Sequence, residues 1–176
     1  MRNCYLNKLC FLTLLVVKSD VFASDSIADG KAVVTLRNNQ PCFSFPLDET
    51  TKKIKFLLYK IEVYFNKGQA AYPSTKTWVL KINEENKKFF NNPNTPEQCI
   101  EYGVSTPNNN STVAIPVEIN VPYQVFLTIY SPEIASSSAS IRSYYSDFCL
   151  ILGATHNKIV VNPKFNSSTG VFQCEK

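Results

Sequence analysis

One histidine, one tryptophan, one methionine and five glycines are all that the 176 residues hold of these types. Each shortage excludes something. No G-x-G-x-x-G, no P-loop, no EF-hand loop and no G-x-S-x-G elbow occurs, so nucleotide cradling and esterase-like chemistry lack their sequence marks. The lone histidine, His156, sits in Gly153-Ala154-Thr155-His156-Asn157, which reads as an exposed turn and not as a general base. Paired carboxylates occur at Asp48-Glu49 and Glu84-Glu85. Both pairs lie in polar segments, whereas a glycosidase needs its acids facing across a cleft. Basic residues number 18 against 14 acidic ones, a formal charge of +4. They are scattered and form no stripe, so no nucleic-acid partner is expected. The chain is expected to be no enzyme and to need no cofactor.

What is present points to export. Residues 1–23 read as a secretory signal peptide: Arg2 and Lys8 make a positive start, Leu9–Val17 an apolar run, and Val21-Phe22-Ala23 a cleavage site. That run falls well short of the roughly 20 residues a spanning helix needs, and no later segment suits one. Hydrophobic residues make up 44% and aromatics 12%, enough to core one domain and too apolar for disorder. Residues 24–176 are therefore expected to form a single domain in the periplasm, with no membrane span. Cys10 follows Lys8 and precedes the apolar run, the wrong setting for lipidation, so no lipid anchor is expected.

Cys4 and Cys10 leave with the signal, and Cys42, Cys99, Cys149 and Cys174 remain. An even number in an exported chain argues for two disulfides, with three connectivities open. No C-x2-C spacing occurs, so a metal site is not expected. The expected pairing is Cys42–Cys149, both in apolar runs, and Cys99–Cys174, both at segment edges.

Periodicity is almost everywhere two. Val33–Leu36 and Cys42–Phe45 flank Asn38-Asn39-Gln40-Pro41, a hairpin signature. Lys53–Phe65 alternates but slips phase, which predicts a bulge near Leu57–Tyr59. Trp78, Leu80 and Ile82 alternate with Val79 and Lys81. Asn83–Phe90 tolerates a helical turn. Val113, Ile115, Val117 and Ile119 predict a strand that Pro116 confines to an edge. Tyr123 to Tyr130, Phe148 to Leu152, Ile159 to Val161 and Val171–Cys174 predict the rest, with Ser131–Ser140 a loop. No helix of useful length separates these strands. The pattern is mainly β: an antiparallel immunoglobulin-like β-sandwich of about eight strands.

Tyr64, Phe126, Tyr130, Tyr144 and Tyr145 are candidates to face outwards from these strands. Tyrosine is a favoured interface anchor, so these five form the candidate contact surface, unless a second sheet or loops cover them. Sequons stand at Asn109, Asn110 and Asn166 and matter only in a host that glycosylates.

A set of motifs then runs in order: Gln40-Pro41-Cys42-Phe43-Ser44-Phe45-Pro46, Trp78, Pro96-Glu97-Gln98-Cys99-Ile100-Glu101-Tyr102-Gly103, Pro122-Tyr123-Gln124-Val125 and Tyr145-Ser146-Asp147-Phe148-Cys149-Leu150. This order resembles a family of small exported bacterial proteins described as type VI secretion immunity periplasmic lipoproteins, over most of Val33–Val161. The resemblance implies a periplasmic protein that binds and neutralises a toxin. It also implies structural roles: Cys42, Cys99 and Cys149 as staples, Pro46 and Gly103 as turn formers, Trp78 as core. The lipidated cysteine of the family is missing here. Two rival classes stand beside this one, a fimbrial or surface subunit with a structural or adhesive role and an exported enzyme.

Overall fold

Asn38 and Asn39 both hold positive φ, 49° and 61°, the geometry of a two-residue hairpin turn that asparagine tolerates better than most residues. The computed structural model describes residues 29–46, 49, 52–65, 75–105, 111–134 and 140–175. Within them this turn joins β2 (Val33–Arg37) to β3 (Gln40–Ser44), as the sequence predicts. Residues 1–23, expected to be a signal peptide, Asp48, Asn109, Asn110 and part of the Ser131–Ser140 loop lie outside the described residues.

The described residues form eleven strands: besides β2 and β3, β1 (Gly30–Lys31), β4 (Leu57–Phe65), β5 (Thr75–Lys81), β6 (Ile100–Glu101), β7 (Pro122–Tyr130), β8 (Ile141–Leu152), β9 (Lys158–Val161), β10 (Lys164–Asn166) and β11 (Val171–Gln173). The excess over eight comes from the two-residue pieces β1 and β6 and the three-residue β10, too short to leave a periodic signal. Among the described residues there is no α-helix, only 3-10 turns at Lys87–Phe89 and Pro96–Gln98. The larger sheet has the order β1-β8-β7-β4-β5, with β9 also on β8. All its pairings are antiparallel except β1 with β8. A second sheet, β2-β3-β6, faces it.

The core lies between these sheets. Phe43 of β3 meets Phe148 of β8 at 5.7 Å and Trp78 of β5 at 6.3 Å between ring centroids. Ile61, Val63, Val125, Leu127 and Ile129 are fully buried beside them, each contributing about 1.5–3 kcal/mol of transfer free energy. The expected bulge is real: pairing of β4 with β7 shifts between Leu58 and Lys60. The extra residue lets Leu58 and Ile61 both point inwards and turns Tyr59 out, 47% exposed.

Val113–Ile119 forms no ladder strand, contrary to expectation. Only single bridges occur, Ser111 to Leu80 and Ile119 to Leu150. Pro116 has no amide to donate, and Val113 is 94% exposed, so the apolar alternation there does not mark a buried face. The segment instead straps the edge of β5. Thr112 N donates to Val79 O at 2.9 Å and Ile115 N to Thr77 O at 3.1 Å. Tyr102, buried beneath, donates its hydroxyl to Ile115 O at 2.6 Å. That burial pushes the Tyr102 phenol above its ordinary pKa.

The disulfides pair Cys42 with Cys99 and Cys149 with Cys174, correcting both expected partners. Antiparallel pairing of β3 with β6 places Cys42 opposite Glu101, so Cys99 is a diagonal neighbour, 5.4 Å away at Cα. Cys149 belongs to the larger sheet, and its partner comes from the strand end just after β11. A shared apolar setting does not imply proximity; the ladder register decides it.

Candidate protein-docking face

Side chains alternate across a strand, so the residues between the buried positions of β4, β7 and β8 share the opposite, outer face of the larger sheet. On β4 these include Lys60, Glu62 and Tyr64; on β7, Gln124, Phe126, Thr128 and Tyr130; on β8, Ser143, Tyr145 and Asp147. Register brings them together: Glu62 opposes Phe126, Phe126 opposes Tyr145, and Gln124 opposes Asp147. Three expected contact residues therefore form one row. Tyr64 and Phe126 meet edge to face at 5.7 Å, and Phe126 meets Tyr145 at 5.3 Å. Each pair is worth about 0.5–1.5 kcal/mol beyond area burial. All three are half-buried.

Tyr130 lies at the far end of the same face, edge to face with Tyr59 at 6.3 Å. Tyr144 does not belong there. It is 1% exposed and packs on Phe45 at 5.5 Å. Tyr144 opposes core residue Leu127 while Tyr145 opposes Phe126, so adjacent tyrosines take opposite faces, and only one can face out.

The charged frame of this face was not legible as a site. Glu62 accepts Lys60 Nζ at 2.8 Å and Lys76 Nζ at 2.7 Å. Burial pushes the Glu62 carboxyl up, but hydrogen bonds and charge from the two lysines together outweigh it and hold the group below its ordinary value. The Glu62 hydrogen bond likewise raises Lys76, whose ammonium also sits 5.3 Å from the Tyr64 ring centroid. Lys60 and Lys81 are direct cross-strand partners, a like-charge pairing that costs rather than stabilises. The available signal was Lys60, Glu62 and Tyr64 at alternate positions, interleaved with Ile61 and Val63.

At the β8 end, Tyr145 donates its hydroxyl to Asp147. Burial first, then this bond and the carboxylate charge, hold the Tyr145 phenol far above its ordinary pKa, so it remains a protonated donor. Gln124 Oε1 and Asp147 Oδ1 are buried without hydrogen-bond partners, each a cost of about 1–3 kcal/mol.

Other candidates are placed elsewhere. His156 occupies the β8–β9 turn with φ 59° and is exposed, as expected. Glu84 pairs with Lys87 and Glu49 with Lys52 on the surface. Asn166 holds the β10–β11 turn: its side-chain Oδ1 accepts the Ser168 amide at 3.0 Å and hydroxyl at 2.6 Å. A groove of about 560 Å³ runs past Arg37, Phe89 and Glu97, but the Arg37 guanidinium is already taken up by the Glu97 and Cys99 carbonyls. Among the described residues no three His, Cys, Asp or Glu side chains converge as a metal site requires, and no helix is long and apolar enough to cross a membrane.

Compared with protein-family models, curated proteins and solved structures, the chain matches none.

Proposed function

We propose that this protein is an exported, non-catalytic immunity-type binder that docks onto a toxin delivered to the periplasm and neutralises it by occlusion. The observation that carries this reading is the row Tyr64–Phe126–Tyr145 on the outer face of the larger sheet, away from the intersheet core. Aromatic side chains with two rotatable bonds, held on a rigid sheet, lose little entropy on binding and suit a hot spot. Two disulfides fit an oxidising, exported compartment. The ordered motifs from Gln40 to Leu150 add the resemblance to periplasmic immunity proteins. In this reading the fold is an immunoglobulin-like sandwich released from a signal peptide at residues 1–23.

The test is co-expression with the product of an adjacent toxin gene directed to the periplasm, scored by survival of the host. Wild-type protein and His156→Ala should protect equally, because occlusion needs no base. Trp78→Ala should fail, since a fully buried indole is lost at about 3–5 kcal/mol, most of a typical domain's stability. Absence of protection by wild type would sink the immunity reading and favour a fimbrial or adhesive subunit. Failure of a folded His156→Ala would show that blocking alone is not the mechanism.

A further inference from the structure

We infer that the β4–β5 half of the outer face recognises an acidic protein surface, whose carboxylates settle over Lys60, Lys76 and Lys81 beside the aromatic row. This rests on the binder reading above and names the chemistry of the partner. Three lysines share that half with a single carboxylate, Glu62, which already serves Lys60 and Lys76. Lys81 stands directly opposite Lys60 in register and is exposed. Two ammonium groups at a direct cross-strand position repel in the free protein; a second anion there would turn that cost into attraction. The β8 end differs, because the Asp147 carboxylate, which accepts the Tyr145 hydroxyl, lines one pocket with Lys31, so one negative and one positive charge offset each other there. The face is therefore positive at one end and neutral at the other, with the aromatic row between them. That is the arrangement of a charged rim beside a dry centre: the row supplies affinity, and the lysines supply orientation and association rate. Lys76, lying over the Tyr64 ring, joins the two parts.

The probe is a pair of short synthetic peptides, one alternating glutamate with tyrosine and one alternating lysine with tyrosine, titrated into the isotope-labelled protein at low salt. The acidic peptide should shift the amide resonances of Lys60, Tyr64, Lys76, Lys81 and Phe126. Its apparent affinity should fall about tenfold at physiological salt, and about as much in Lys81→Glu, an exposed change that leaves the core intact. The basic peptide should not localise there. An acidic peptide that shifts no residue of this face, or a basic peptide that shifts it equally, overturns the inference. Specific acidic binding without protection against any toxin would instead sink the immunity reading alone. Protection that persists in Lys81→Glu, together with no peptide effect, would leave that reading standing and discard the acidic partner.

Discussion

Removing the two disulfides one at a time should give unequal losses, although both close long loops. The Cys42–Cys99 bond spans 57 residues and the Cys149–Cys174 bond 25. Loop-closure entropy alone gives about 4 and about 3.5 kcal/mol respectively. What each bond holds is very different. Cys42–Cys99 ties β3 to the entrance of β6, beside Phe43 and Ile100 of the core, so the native state gains no freedom when it is lost. The full loss should appear. Cys149–Cys174 fastens the β10–β11 hairpin, whose strands pack chiefly on each other. Phe165 in it is 49% exposed, and an isolated two-stranded hairpin is marginal in water. Without the bond the hairpin would fray in the native state as well, offsetting part of the entropy gained by the unfolded chain. Urea unfolding of Cys42→Ala/Cys99→Ala should therefore show a loss near 4 kcal/mol, and Cys149→Ala/Cys174→Ala a loss clearly below 3.5 kcal/mol. An equal or larger loss for the second pair would refute the reasoning. So would peptides linked through Cys42 and Cys149 in an unreduced digest.

Tyr102→Phe should cost about 1–3 kcal/mol, because it leaves the Ile115 carbonyl without its buried donor; faster amide exchange at Ile115 would locate the loss in the strap, and unchanged exchange would contradict it. Glu62 has a folded pKa below its ordinary 4.5, so its ion pairs contribute stability above that value and lose it as pH falls through the folded pKa. Lys76 is largely exposed, so the difference between wild type and Glu62→Gln should be at most about 1 kcal/mol at neutral pH and vanish in acid. A difference that grows on acidification would contradict the sign.

The period-two pattern made most of the larger sheet readable, because β4, β7 and β8 each bury alternate residues against one core. The bulge at Leu58–Lys60 was readable too, since a phase slip has few other causes. Pairing was not. Cys42 and Cys149 look alike locally, and only the β3–β6 register, set by residues far apart in the chain, brings Cys99 to Cys42. The strap at Val113–Ile119 misled for a different reason: alternation marks burial only where a facing surface exists, and Val113 has none. For the docking face, each aromatic could be nominated singly. Neither the exclusion of Tyr144 nor the convergence of Lys60, Lys76 and Lys81 could be seen before the register was known.

The most direct measurement is the affinity of the purified protein for a toxin that the co-expression assay pairs with it, compared with Phe126→Ala, which removes the centre of the aromatic row. If the outer face of the larger sheet is the contact surface, Kd should weaken about 30-fold or more, a hot-spot loss of about 2 kcal/mol or greater, while the variant stays folded with a stability loss of about 1–3 kcal/mol from its two ring pairs and His156→Ala binds as wild type. An unchanged Kd for folded Phe126→Ala would contradict the assignment and place the contact on another surface.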